Sequence, residues 1–324
     1  MFERVPIVIM DERVFSDLFL PEPIFREDVV KRLTSASEDL RISGPPGSGK
    51  TLCMRKAGGM YVDCRTFNTS YKVLLRLLFL SRVLIPQSGY SYASLQEKCG
   101  VLRGKRILLD GIDFLRDPER IISTLKERDA VLLTSSMTFG DIELEPYSRA
   151  QLYEILRRRA ELGLRSGSWS DEILYRIAVL SEGNAKRGIN LLRMASELAE
   201  SRGSDRIEEE DVERGKDLLG KELFESLPLH KRLLLSAIMD INGRPTTGPI
   251  YRAYVEKALE HGIRPLSQRR ISFFINELIY MGLVRGRVVY RGFHGNTKEI
   301  EGVDPLVRMM SGKLRFPDNA ILNF

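Results

Sequence analysis

At 324 residues and 37.0 kDa the chain is longer than one ordinary core serves, and two or three domains are expected. With 43% hydrophobic and 29% charged residues, no apolar run near the ~20 residues of a membrane crossing and no secretory-signal pattern at its start, it reads as a cytoplasmic chain without a membrane partner. The net charge of +6 is uneven: residues 222–324 hold 15 Lys and Arg against 10 Asp and Glu.

Four short apolar runs open the chain: Leu40–Ser43, Met60–Cys64, Arg106–Asp110 and Ala130–Ser135. Helical patterns separate them, among them Tyr71–Leu84 and Pro118–Arg128, which is how an α/β parallel sheet reads. This block spans residues 1–146. From 147 to 221 strand signals vanish. Ser148 is placed to cap a helix through Gly163, Ser170 one through Leu180, Asn184–Ser201 is a third, and a charged helix starts near Glu208. In residues 222–324 come a helix over Leu229–Ile241, a turn at Asn242–Gly248, and helices over 249–261 and 267–281. Strands Leu283–Tyr290 and Phe293–Ile300 follow around a glycine-bearing turn. Three helices and a hairpin in that order predict a winged helix.

Cys53, Cys64 and Cys99 form no close pair, so neither a disulfide framework nor a zinc site is predicted. His230, His261 and His294 lie far apart, which suits structural or surface roles.

The strongest motif is Gly44-Pro45-Pro46-Gly47-Ser48-Gly49-Lys50-Thr51, followed by Leu52. It satisfies G-x-x-x-x-G-K-[ST] between a predicted strand and a predicted helix, the context a phosphate-binding loop requires. Glycines let consecutive backbone N–H groups converge on a phosphate. Lys50 reaches the β/γ oxygens, Thr51 offers a hydroxyl to Mg²⁺, and the helix N-terminus favours the anion. The expected ligand is ATP or ADP with Mg²⁺.

Ile107-Leu108-Leu109-Asp110 is an apolar strand ending in a carboxylate, which makes Asp110 the candidate second Mg²⁺ ligand. The glutamate that many ATPases place next, to activate water, is Gly111 here. Asp113 either substitutes for it as a catalytic residue or caps the following helix. On the fourth run, Thr134-Ser135-Ser136 offers a side chain, Ser135, that either meets the γ-phosphate or caps a helix.

The basic excess concentrates between Arg264 and Lys298, where seven cations accompany one acid, Glu277. Such a block suits a phosphate-backbone partner. Ser267 is placed to cap the third helix of the last block, with Gln268, Arg269 and Arg270 in its first turn, where a major groove is met. Arg285, Arg287, Arg291, His294 and Lys298 would line the hairpin against a duplex. The alternative is a regulatory P-loop protein whose winged helix binds a protein partner.

Together these segments resemble the archaeal origin-recognition replication initiators of the AAA+ ATPases, over nearly the whole chain. Tyr61 to Leu74 resembles that family's strand and helix after the phosphate loop, Leu109 to Leu115 its acidic strand, and Pro146 to Leu156 the opening of its lid. Glu182 to Arg193 resembles the lid helix that carries a phosphate-sensing arginine, and Leu227 to Lys231 the start of its winged helix. Pro265 to Arg270 and Arg291 to Glu299 resemble its recognition helix and wing.

The resemblance implies an AAA+ base with a parallel sheet, a helical lid and a C-terminal winged helix. It also implies ATP-dependent binding of double-stranded DNA in origin recognition, with other initiators or a helicase as further partners. Three departures bear on hydrolysis. Gly111 stands for the family's glutamate, Lys186 stands at the sensing arginine, and only Met137–Glu145, without Lys or Arg, separates Ser136 from Pro146. In the family a longer segment there carries an arginine to a neighbouring subunit's ATP. Loss of such an arginine alone costs about 10³–10⁵ in rate, so a nucleotide-holding protein with slow or absent turnover is expected.

Overall fold

The apolar runs of the first block assemble into one parallel sheet in the structure, a computed structural model that describes residues 7–85, 89–290 and 296–308, with backbone alone for residues 288–290 and 296. In chain order the elements are α1 (Glu27–Thr34), β1 (Leu40–Ser43), α2 (Lys50–Ala57), β2 (Met60–Asp63), α3 (Ser70–Leu80) and α4 (Tyr92–Glu97). Then come β3 (Arg106–Asp110), α5 (Pro118–Lys126), β4 (Val131–Ser136) and β5 (Ile142–Glu143). The sheet order is β2-β3-β4-β1-β5. β1 pairs in parallel with β4 on one side, Ser43 opposite Ser136, and with β5 on the other. Asp63 of β2 pairs with Asp110 of β3. The polar ends of the strands therefore share one edge, where open α/β sheets bind ligands.

Both faces of the sheet are covered, as the apolar residues on both sides of its strands require. Leu33 of α1 and Cys53, Met54 and Ala57 of α2 pack on Ile42, Leu108 and Leu133. Val73, Leu74, Leu77 and Leu78 of α3, Leu95 of α4, and Ile121 and Leu125 of α5 cluster with Ile107, Leu109 and Leu132. Leu108 thus turns to one face while its neighbours turn to the other, the alternation a strand imposes. The three cysteines are buried thiols.

The remaining elements are α6 (Arg149–Gly163), α7 (Asp171–Leu180), α8 (Ala185–Ser201), α9 (Glu209–Glu225), α10 (Leu229–Asp240), α11 (Thr247–Glu260), α12 (Gln268–Tyr280), β6 (Val284–Tyr290), β7 (Asn296–Val303) and a last turn, Pro305–Arg308. Each predicted helix is present. Residues 11–163 with 178–188 form one compact unit; the described residues of 1–10, 164–177 and 189–324 form another. In the first, a 3-10 turn at Glu12–Phe15 lies against α6, and the buried Arg159 of α6 donates to the carbonyl of Val14 and stacks on Phe19. In the second, the core joins Leu233, Leu234 and Leu235 of α10, Ile250 and Tyr254 of α11, and Ile271, Phe274, Ile275 and Leu278 of α12.

Some elements differ from expectation. α3 stops at Leu80 because the chain turns there, Arg82 taking φ 59°. The short helices α1 and α4 were not anticipated. Neither was β5, which the Met137–Glu145 connection supplies by adding a strand at the sheet edge beside β1. No helix among the described residues is long and apolar enough to cross a membrane.

Packing of α9 generates a stability test. A β-carbon on Gly220 would fall 2.3 Å from the carbonyl oxygen of Leu306 in the last turn. Alanine improves intrinsic helix propensity by about 1 kcal/mol, yet here it would force two backbones apart. Gly220→Ala should therefore lower stability by about 1–3 kcal/mol. Thermal unfolding checks it, and a raised midpoint would contradict the close packing.

Candidate functional sites

The phosphate loop joins β1 to α2 and is built around its glycines. Gly47 and Gly49 take φ 75° and 97°, a region costly for other residues. They also lack room for a side chain: a β-carbon would fall 1.9 Å from Asn184 Oδ1 at Gly47 and 2.6 Å from the Tyr147 hydroxyl at Gly49. Lys50 folds back beneath the loop and donates to the carbonyls of Gly44 at 2.5 Å and Pro45 at 2.8 Å. Burial lowers its pKa to about 8, against the opposing pull of Asp110 and Asp113.

Asp110, at the end of β3, is fully buried. Its Oδ2 accepts from Thr51 Oγ1 at 2.7 Å and from the Tyr61 hydroxyl at 2.8 Å, and its Oδ1 from Ser135 Oγ. Burial, then the charge of Asp110, pushes the Tyr61 pKa up, which keeps that hydroxyl a donor. Ser135 is itself buried and also accepts from the Gly111 N–H at 2.7 Å. Its hydroxyl thus links Asp110 to the Gly111 N–H.

The helix-cap reading of Asp113 is corrected. Asp113 sits inside the 3-10 turn Ile112–Phe114, and the N-cap position of α5 falls to Asp117. Asp113 instead accepts from Ser136 Oγ at 3.0 Å and from Met137 N at 2.8 Å. Both carboxylate oxygens tie the end of β4 to the turn after β3.

The donor set fits a polyphosphate with Mg²⁺. Ser48 Oγ is buried beside Gly44 without a hydrogen-bond partner among the described residues, and one hydroxyl and one carboxylate meet at Thr51 and Asp110. Mg²⁺ is commonly held by one or two carboxylates together with phosphate oxygens. Among the described residues no group of three or more His, Cys, Asp or Glu gathers to hold a metal unaided.

Three residues that the sequence did not single out clasp the loop. Arg26 donates to the Ser48 carbonyl at 3.1 Å and to the Glu145 carbonyl at 2.5 Å, and stacks 4.3 Å over the Tyr147 ring. At the start of α8, Asn184 accepts from Arg187 N at 3.0 Å and lies against Gly47, whose carbonyl accepts from Ala185 N at 3.2 Å. Tyr147 and Asn184 stood inside family-like segments. Arg26 lay in no periodic pattern, so nothing local marked it. Lys186 donates to Asp17 at 2.5 Å, an exposed ion pair.

The last block is a winged helix. β6 and β7 pair antiparallel with a bulge at Arg285/Gly286, and Thr246 bridges to Glu299. Ser267 is the N-cap residue of α12 by backbone, but its side chain makes no capping bond, which corrects that expectation. Gln268, Arg269 and Arg270 are exposed in the first turn. The Arg270 guanidinium rests 4.9 Å from the ring centre of Phe274. On the hairpin Arg285 is exposed, and Lys298 is half-buried, burial lowering its pKa. Arg287 donates to Glu299 at 2.9 and 3.0 Å and pairs with Glu301 at 3.4 Å. Those acids lie just past the basic block as counted along the chain; strand pairing sets Glu299 opposite Arg287, with Glu301 two residues further along β7. Arg291 and His294 lie outside the described residues.

Two family models match the chain: the Cdc6 AAA+ ATPase-type lid domain over residues 153–217, and the CDC6 C-terminal winged helix domain over residues 222–306. The chain is 30% identical to the ORC1-type DNA replication protein 1 of Sulfolobus acidocaldarius, over 88% of each chain. With the protein of the same name from Aeropyrum pernix it shares 34% identity over 74% of this chain and 72% of that one. Its fold is similar to that of the Aeropyrum pernix ORC1 protein in complex with DNA, with a TM-score of 0.66 and 28% identity over 94% of this chain and 96% of that one.

The bonds of Asp113 separate two roles. If it serves the strand end, Asp113→Ala loses about 1–3 kcal/mol of stability, while nucleotide affinity below the melting range stays within about threefold. A large loss of affinity or turnover with unchanged stability would contradict this.

Proposed function

Because the chain belongs to the ORC1-type DNA replication proteins, we propose that it is a replication initiator, or a regulatory relative of one, that holds ATP or ADP and binds double-stranded DNA while hydrolysing ATP slowly or not at all. The observation that carries this reading is the pairing of an intact Lys50–Thr51–Asp110 constellation with Gly111 at the position of the water-activating glutamate. Gly111 takes φ 75° and ψ 52°. A glutamate there would adopt a left-handed backbone at a cost of about 1–2 kcal/mol, so the turn itself favours glycine. The Met137–Glu145 segment, part of it the edge strand β5, offers no cation to a neighbouring site.

In this reading residues 1–146 are the nucleotide-binding base, 147–221 the lid and 222–324 the DNA-binding part of a cytoplasmic protein. Amides of the loop and Lys50 take the phosphates. Thr51 and Asp110 would hold Mg²⁺, which neutralises charge between the β- and γ-oxygens. Lys186 stands at the sensing position of the lid. Asn184 and Ala185 bring the start of α8 against Gly47, so a nucleotide in the loop is felt directly by the lid.

On the winged helix, Ser267, Gln268, Arg269 and Arg270 meet a groove, while Arg285, Arg287 and Lys298 follow the phosphates. The Arg287–Glu299 pair is exposed and worth little in water, so a phosphate can take the place of the carboxylate. Other initiators or a helicase are the further partners this role implies.

Two measurements test the proposal on the purified full-length chain. Nucleotide extracted after denaturation should approach one ADP or ATP per chain, and Lys50→Ala should carry none. Duplex affinity should fall steeply with salt, and Arg269→Ala should reduce the log–log slope by about 1. A Lys50→Ala variant that still retains nucleotide, or an affinity indifferent to ionic strength, would overturn it.

A further inference from the structure

The first turn of α12 carries exposed Arg269 and Arg270, yet the side chain of its N-cap residue Ser267 makes no capping bond. Something else must fix where that turn begins. The main chain of the preceding residue, Leu266, is held from α11 by two tyrosines, one at its N–H and one at its carbonyl. Leu266 N–H donates to the Tyr254 hydroxyl at 3.1 Å, and the Tyr251 hydroxyl donates to the Leu266 carbonyl at 3.2 Å. The two rings are stacked, with centroids 6.3 Å apart and planes inclined by 28°. Tyr254 is fully buried, and its hydroxyl also lies 2.8 Å from His230 Nδ1 on α10. One of its lone pairs takes the Leu266 N–H, and it shares a second hydrogen bond with the histidine nitrogen, whose direction follows the imidazole tautomer. Burial keeps that imidazole's pKa below the ordinary value, which favours the neutral ring.

We propose that Tyr254, backed by Tyr251 and His230, is a positioning residue for the duplex-contacting turn of α12: its hydroxyl tethers the Leu266 peptide and so sets the direction in which Gln268, Arg269 and Arg270 leave the domain. This rests on the reading of the winged helix as a DNA-binding module. The physical case is one of leverage. Leu266 is one residue before the N-cap, and a rotation of that peptide moves every side chain of the following turn. A tyrosine ring would fill the core equally well without its hydroxyl. The hydroxyl is buried in an otherwise apolar cluster, where it is costly unless bonded. Its two partners are a main-chain N–H one residue before the helix cap and a histidine.

The test compares full-length wild type, Tyr254→Phe, Arg269→Ala with Arg270→Ala, and the combination, in duplex binding across a salt series. Tyr254→Phe keeps the ring and should weaken binding about 5–10-fold, the worth of roughly one hydrogen bond, with a shallower salt slope. In the background lacking the two arginines, it should have almost no further effect, because it acts through them. Tyr251→Phe, which frees only a carbonyl at a half-buried position, should give a smaller loss of the same kind. Should Tyr254→Phe prove poorly folded, Tyr251→Phe carries the same cycle alone. Full multiplicative effects in the arginine-free background, or wild-type affinity and salt slope in both tyrosine variants, would overturn the inference. If the wild type itself shows no salt-dependent duplex binding, the underlying reading fails along with it, and that result is distinct from the other two.

Discussion

A buried carboxylate without partners would cost several kcal/mol, and Asp110 meets that cost with hydroxyls from three elements. Thr51 reaches it from the first turn of α2, Tyr61 from β2 and Ser135 from β4. These bonds do more than satisfy a charge. They lock the helix that follows the phosphate loop to the strands on which the loop rests, and they leave Thr51 and Asp110 side by side. The loop can then stay in its left-handed glycine conformations because its far end is anchored. Gly111, next to the carboxylate, belongs to the same hub through its N–H to Ser135.

From that hub the lid connection follows. Gly47 and Gly49 leave no space for β-carbons because Asn184 and the Tyr147 hydroxyl occupy it. Arg26 adds a third grip, bonding the loop at Ser48 and the approach to the lid at Glu145 while covering Tyr147. These contacts hold the loop against Glu145, Tyr147 and Asn184 within one compact unit. The same economy operates in the winged helix, where the buried hydroxyl of Tyr254 stands between α10, α11 and the start of α12.

Much of this was legible along the chain because the signals were local. Strands β1 and β3 matched their predicted limits, since each is a short apolar run ended by a polar residue, and the helices of residues 147–281 followed from caps and period. The phosphate loop and Asp110 were readable because motif and spacing carry the chemistry. What escaped was non-local. Arg26 acts across the first unit on Ser48 and Glu145. Asp113 was read either as a stand-in for the glutamate or as a cap of the next helix, whereas its partners are Ser136 at the end of β4 and Met137 just after it. The Glu299 and Glu301 partners of Arg287 were invisible to a charge count that stopped at Lys298, since only strand pairing brings them to it. Ser267 had the right residue type for a cap, but its side chain makes no such bond.

The central claim is that the fold retains capture of nucleotide while lacking the parts that hydrolyse it. Single-turnover hydrolysis of labelled ATP, with the full-length chain in excess and Mg²⁺ present, measures this most directly. The account predicts that bound ATP persists with a rate far below the ~1 s⁻¹ at the low end of ordinary enzyme turnover, in the presence or absence of duplex DNA. Rapid release of phosphate from the bound pool, at a rate that Lys50→Ala abolishes, would contradict it.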